Sequence, residues 1–249
     1  MFSILHITPH LNGGVGQVLL STIKNSNLHN CDFHHKIIVL EPLTEKSKNL
    51  FSKYINSVDE FKCEKSLSLE IKKADIIQIE WWNHPLIYKL LFLFHFPPCR
   101  IIILCHISGF YRPQIINKNI VNFSDIFMTT TKATLNNIIF KSYPKAETNK
   151  KIKFVTYPPD LDRLKNFSFK AHGQFNIGYI GTLDYSKLHL NFLSMSSKVN
   201  IKNAKFLIYG VDENNKLETE SLKLKNNKFE FKEFQPDIRK AFEELDVFG

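Results

Sequence analysis

Ser3-Ile-Leu-His-Ile-Thr-Pro-His-Leu-Asn-Gly-Gly-Val-Gly-Gln17 decides the fold. An apolar run, Ile4 to Ile7, enters a loop holding Gly13, Gly14 and Gly16, and a helical stripe of Val15, Val18, Leu19 and Ile23 follows. Strand, glycine loop and helix in that order open an α/β domain. Glycine lets backbone turn tightly and approach a ligand closely. A helix N-terminus adds free N–H groups and partial positive charge, so the loop can cradle an anion. A tight strand-to-helix turn with no ligand has the same sequence, and this stretch alone leaves both readings open.

The pattern repeats along the chain. Apolar strands are expected at His35–Leu40, Ala74–Glu80, Ile101–Cys105, Asp125–Met128 and Ile152–Thr156, with helices at about 16–28, 44–57, 66–73 and Leu86–Phe96, and a helix through Lys141. Hydrophobic strands alternating with helices imply a parallel sheet covered on both faces. Ligands of such sheets sit beyond the carboxyl ends of the strands. Asn12–Gly16, Trp81–His84, His106–Gly109, Thr129–Thr131 and Tyr157–Asp160 fall there, and they are polar and aromatic. That favours the ligand reading of the glycine loop.

Residues 161–174 are polar and read as a linker. The pattern then restarts with strands at Phe175–Gly181, Ala204–Tyr209 and Lys228–Phe231, helices near His189, around Glu218 and Glu220, and over Ile238–Leu245, and a last strand beginning at Asp246. The expected organisation is therefore a domain over 1–160, the linker 161–174, and a shorter, incomplete domain over 175–249.

Composition narrows the function classes. With 43% hydrophobic and 23% charged residues the chain can bury a true core. Its net charge of +9 is uneven: residues 1–160 carry 19 Lys and Arg against 12 Asp and Glu, residues 161–249 carry 14 against 12. A basic first half suits anionic lipid headgroups, a phosphorylated substrate or nucleic acid. The lysines are scattered and no nucleic-acid module accompanies them, so nucleic-acid binding ranks last. Cys31, Cys63, Cys99 and Cys105 lack regular spacing, which fits free thiols in a reducing cytoplasm. No secretory signal is visible, and Lys89, His95, Pro97, Pro98 and Arg100 interrupt the most apolar stretch, Leu86–Cys105, so no membrane span is expected there. The histidines show no metal-ligand spacing, and no metal site is expected.

The ordered motifs resemble glycosyltransferases of the GT-B fold, in particular the family 4 enzymes that retain configuration and use nucleotide sugars. Ile4–Gly16 resembles that family's first strand and Gly-Gly loop. Ile76–His84 (IIQIEWWNH) is similar to the strand whose end faces the acceptor, and Ile102–His106 (IILCH) to the strand ending in a histidine near the donor sugar. Val155–Asp162 stands at the family's linker motif, with Pro158-Pro159 in place of Asn-Gly. Ile177–Lys187 (IGYIGTLDYSK) resembles its Gly-Arg-x-x-x-x-Lys loop, with Thr182 in place of arginine, and Asp237–Phe248 resembles its Asp-Ile…Asp-Val-Phe segment.

The resemblance implies two Rossmann-like domains, a first that is acceptor-side and a second that takes the nucleotide sugar and lacks the family's final third. It implies that His106 contacts the donor sugar near its reacting carbon. Gly13, Gly14, Gly181, Thr182 and Lys187 would hold the donor diphosphate, and Trp81, Trp82 and His84 would face the acceptor. It implies no cofactor and no metal, with a UDP- or GDP-sugar as substrate and a glycan or lipid-linked acceptor. The implied role is sugar transfer in surface-polysaccharide assembly, in the cytoplasm and in peripheral contact with the inner face of a membrane. A truncated, non-catalytic remnant that binds acceptor at most is the competing expectation.

Overall fold

The computed structural model describes residues 2–55, 57–112, 114–157, 160–183, 188–212, 215–224 and 228–248. The chain divides into two compact units, Met1–Asp160 and Leu161–Gly249.

The first unit is built on strands β1 (Phe2–Thr8), β2 (Phe33–Val39), β3 (Val58–Glu60), β4 (Ile76–Trp81), β5 (Ile101–Cys105), β6 (Ile126–Thr129) and β7 (Ile152–Phe154). They form one parallel sheet in the order β3-β2-β1-β4-β5-β6-β7. The helices between them are α1 (Gly13–Leu28), α2 (Glu45–Phe51), α3 (Glu64–Lys73), α4 (Pro85–Leu93), α5 (Lys118–Phe123), α6 (Ile138–Lys141) and α7 (Lys145–Lys151). Strand order reverses between β1 and β4, and the crevice at such a switch point is where open parallel sheets place ligands.

Side-chain alternation gives the two faces of this sheet different work. Leu5 and Ile7 of β1, Ile77, Ile79 and Trp81 of β4, and Ile103 and Cys105 of β5 join Leu67 and Ile71 of α3 and Ile87 and Leu91 of α4 in the main core. On the other face Ile37 and Val39 of β2 pack with Leu19, Leu20 and Ile23 of α1 and Phe51 of α2. That second face is not uniformly apolar: it carries His6, His35 and Glu80, all buried.

Helix boundaries follow local chemistry. Thr44 caps α2 by accepting from the Ser47 amide, Pro85 opens α4 and Asn117 caps α5. The expected helix at 44–57 is shorter than its polar pattern suggests, and the expected helix through Lys141 is a 3-10 turn, Lys132–Asn136, followed by the single-turn α6.

The second unit holds β8 (Phe175–Ile180), β9 (Ala204–Tyr209), β10 (Phe229–Lys232) and β11 (Val247–Phe248), parallel in the order β10-β9-β8-β11. Its helices are α8 (Phe192–Ser197), α9 (Lys216–Lys223) and α10 (Ile238–Phe242). Its small core joins Phe206 and Ile208 of β9 to Leu193 of α8 and Leu217 of α9 on one face, and Leu207 and Tyr209 to Ala241 and Leu245 on the other. Residues 161–174 belong to this unit: the Lys170 amide donates to the Glu243 carbonyl, and the Arg239 guanidinium to the Lys165 carbonyl.

Candidate functional site

The loop after β1 leads directly into α1. Gly13 has φ of +69°, a left-handed conformation that favours glycine, and Gly13 and Gly14 are exposed with open space beside them. Asn12 occupies the N-cap position without capping through its side chain; its carboxamide oxygen accepts from Ser47 Oγ at 3.1 Å instead. The first turn of α1 has no acidic residue. This helix end therefore keeps its partial positive charge and presents backbone N–H groups. Gly16 serves packing, because a Cβ there would overlap the Leu11 carbonyl.

The end of β4 supplies the aromatic wall. Asn83 turns the chain with φ of +72°, and His84 caps α4, its Nδ1 accepting from the Leu86 amide at 3.3 Å. Burial, together with the neighbouring His10, pushes His84 below the ordinary imidazole value despite Glu41. The neutral ring with Nδ1 accepting must carry its proton on Nε2, which donates to Glu41 at 3.1 Å. Trp82 packs against His84, His10 and His106, with ring centroids 5.9, 5.3 and 6.4 Å apart. His10 thus ties the β1 loop to the β4 loop across the switch point. Trp81 does not join them. It is fully buried against Tyr88 and Phe127, since alternation along β4 turns it to the opposite face of the sheet from Glu80. The expected acceptor-facing role of Trp81 is corrected to a core role.

His106 follows β5, and its Nε2 lies 2.6 Å from Glu80 Oε2. Glu80 also accepts from Gln78 at 2.8 Å and meets His6 Nδ1 at 3.4 Å. Burial opposes ionisation of Glu80, but the hydrogen bonds from His106 and His6 outweigh it and hold the carboxyl down at about 2. An ionised carboxylate can only accept, so His106 Nε2 and His6 Nδ1 are the donors. His6 Nε2 then meets His35 Nδ1 at 2.9 Å, and His35 Nε2 meets Ser26 Oγ at 3.0 Å. Burial, with His6 and His34 nearby, lowers His35 to about 4, so it is neutral at physiological pH. A continuous polar chain runs from the strand-end site across one face of the sheet to α1. Tyr157, just after β7, stacks on His106 at 6.0 Å and 17°; burial raises its phenol far above the usual range, and its hydroxyl has no hydrogen-bond partner among the described residues.

Sequence reading found Gly13, Gly14, Trp82, His84 and His106, which lie on neighbouring strand ends of the first unit. It placed Tyr157 at a strand end without giving it a role, and it missed Glu80, His6, His35 and His10. One signal was available: an acid inside Ile76-Ile-Gln-Ile-Glu80 and a histidine inside Ile4–Ile7 are polar groups in buried runs, and buried charge demands a partner. Gly181 and Thr182 belong to the second unit. Gly181 donates to the Tyr209 carbonyl at 3.0 Å, Thr182 is exposed, and the Gly181 carbonyl abuts Gly210 so closely that no Cβ fits there. Lys187 lies outside the described residues, as does the Pro158-Pro159 pair. Among the described residues no group of three His, Cys, Asp or Glu side chains could hold a metal ion.

Structural comparison places this architecture. Anabaena HepE, crystallised with UDP and glucose, superposes with a TM-score of 0.70 over 100% of this chain and 73% of its own, at 13% identity. The fold is GT-B. A glycosyltransferase from Rickettsia africae (TM-score 0.68, 14% identity, 99% of this chain and 72% of its own) shares this GT-B architecture. So does the lipopolysaccharide outer core galactosyltransferase WaaB (0.63, 12%, 99% and 73%). Neither a family model nor a curated protein matches the chain by sequence. Among the described residues no helix is long and apolar enough to cross a membrane.

Proposed function

We propose that the chain is a glycosyltransferase that moves a sugar from a nucleotide-sugar donor to a glycan or lipid-linked acceptor in surface-polysaccharide assembly. The observation that carries this reading is the buried His106–Glu80 pair, set beside Trp82, His84 and the uncapped start of α1 at the switch point of a GT-B sheet. GT-B neighbours crystallised with UDP and UDP-glucose support a nucleotide-sugar donor.

Transfer with retention, as in family 4, passes through an oxocarbenium-like centre, and the departing diphosphate needs N–H donors and positive charge. Gly13 and Gly14 would offer backbone N–H groups at a positive helix end. By the same resemblance Gly181, Thr182 and Lys187 serve the donor from the second unit. Glu80 holds the Nε2 edge of His106, leaving Nδ1 to hydrogen-bond a sugar hydroxyl. Trp82 and His84 offer the acceptor an aromatic face and a hydrogen-bonding edge. The four free cysteines agree with a cytoplasmic setting, and we place the protein there, touching a membrane at most peripherally.

The test is a thermal-shift screen of the 249-residue chain with UDP-, GDP- and ADP-sugars, followed by mass spectrometry of acceptor pools incubated with any donor that binds. A stabilising donor and a hexose-sized mass increment are expected. No shift with any donor would sink donor binding. A shift without transfer to any acceptor would leave a non-catalytic binding protein.

A further inference from the structure

Helix α4 carries more apolar surface than its own unit covers. From Pro85 to Phe96 the sequence reads PLIYKLLFLFHF, in which Lys89 is the one Lys, Arg, Asp or Glu. Ile87, Leu90 and Leu91 are buried, while on the outer side Phe92 is 54% and Leu93 63% exposed. A helix that is hydrophobic all round is ordinarily covered all round. Beside this outer face lies a groove of about 220 Å³, between α4 and the segment that leads from β3 into α3. Phe61, Leu86, Leu90 and Leu93 line it, and the two charged residues along it are Glu64 and Lys89. Both are exposed, and neither has an ion-pair partner among the described residues.

We propose that this face is the interface of a homodimer, in which the outer side of α4 seats in the groove of a second copy about a two-fold axis. A two-fold contact sets one surface against itself, so that surface must carry both halves of its own complement. This one does. Phe92 and Leu93 protrude beside a recess of matching apolar character, so each copy offers the other a knob and a groove. Lys89 and Glu64 stand on the same patch with opposite signs, so each lysine meets the glutamate of the other copy. The contact is then charge-balanced, in a chain whose net charge of +9 otherwise opposes self-association. Hydrocarbon would strand both charges, and a strongly acidic or basic partner would satisfy one and repel the other. Phe61 and Phe92 add the aromatic contact area in which interface cores are enriched. The inference stands apart from glycosyl transfer.

Sedimentation velocity of the full chain over a dilution series tests it. A reversible monomer–dimer equilibrium is expected. Leu93→Asp changes an exposed position, and it is expected to weaken the dimer at least tenfold with circular dichroism unchanged. Lys89→Glu and Glu64→Lys each turn both cross-copy pairs into like charges, and each alone is expected to weaken the dimer at least tenfold. The double variant Lys89→Glu/Glu64→Lys, and an equimolar mixture of the two single variants, are expected to dimerise like the parent. A parent that is monomeric at every concentration overturns the proposal. A dimer indifferent to Leu93→Asp also overturns it, because the contact then lies elsewhere on the molecule. Loss in the single charge variants without rescue in the double variant overturns the two-fold pairing of Lys89 with Glu64. A monomer that binds phosphatidylglycerol vesicles and loses them on Leu93→Asp makes this face a lipid contact and overturns the homodimer.

Discussion

His106 donates from Nε2 to Glu80 Oε2 across 2.6 Å, and both side chains are buried. The two residues come from neighbouring strands, so the bond spans the ends of β4 and β5 next to the switch point. A charge-assisted hydrogen bond of this length is among the stronger polar contacts a protein makes. It orients the imidazole, and the remaining acceptor capacity of Glu80 is met by Gln78 and His6.

Glu80→Gln tests that arrangement. The amide keeps the shape but removes the charge that fixes the direction of two imidazoles. Transfer should fall about 10- to 100-fold in kcat/KM, the worth of one hydrogen bond to a charged group (about 1.5–3 kcal/mol). Affinity for UDP, which lacks the sugar, should stay close to that of the parent, because Glu80 does not reach the diphosphate loop. Stability should drop by about 1–3 kcal/mol. Steady-state kinetics beside a titration with UDP separates the two effects. An equal loss of UDP affinity would mean that Glu80 only props up the fold.

The buried chain also predicts acid sensitivity in two stages. His35 has a folded value of about 4 against an ordinary 6.5, so between those values the unfolded chain binds more protons. Stability is complete above about 6.5 and declines as pH falls toward 4, at about 1.4 kcal/mol per pH unit and about 3 kcal/mol in total. Glu80, held at about 2 against an ordinary 4.5, adds stability above 4.5 that is lost as pH falls through its folded value. Urea midpoints at pH 4, 5, 6 and 7 should therefore rise with pH. A His35→Gln variant should lose most of the slope between 4.5 and 6.5, keeping the part that His84 contributes. A parent that is already flat over that range would refute the neutral, buried state of His35.

The glycines of the first loop can be told apart. Gly14 has open space where a Cβ would go, whereas at Gly16 the Leu11 carbonyl occupies it. Gly14→Ala should leave the melting temperature unchanged or raise it, since Ala improves a helix by about 0.5–1 kcal/mol. Gly16→Ala should destabilise by about 1–3 kcal/mol, because backbone must move. If diphosphate backbone contacts form at Gly14, its alanine variant should bind UDP more weakly while melting normally. Normal UDP binding by Gly14→Ala would remove that residue from the donor site.

Much of this was legible before the structure. The continuous runs at β1, β5 and β9 announced themselves, and so did the glycine loop and α1, because each element's signal lies within its own residues. β3 did not: Val58–Glu60 is a three-residue edge strand with two exposed side chains. The short α5 and α7 lack a full hydrophobic period. The polar chain was unreadable for a different reason. His6 and Glu80 are 74 positions apart, and only the pairing of β1 with β4 brings them to one face. The division of Trp81 from Trp82 was present in the alternation of β4, where Gln78, Glu80 and Trp82 share a parity opposite to Ile77, Ile79 and Trp81.

That alternation yields a paired prediction for two adjacent tryptophans. Trp81 is fully buried among Tyr88 and Phe127, so Trp81→Ala should cost about 3–5 kcal/mol, the range for large aromatic deletions. Trp82 is half-buried and its ring neighbours are His10, His84 and His106, so Trp82→Ala should cost less than Trp81→Ala, about 1 kcal/mol. Its effect should fall on acceptor KM instead, with donor binding preserved. Urea unfolding by circular dichroism and acceptor-dependence kinetics, run on both variants, check the contrast. Equal destabilisation by the two substitutions would show that Trp82 is also structural and would remove the aromatic wall from the acceptor site.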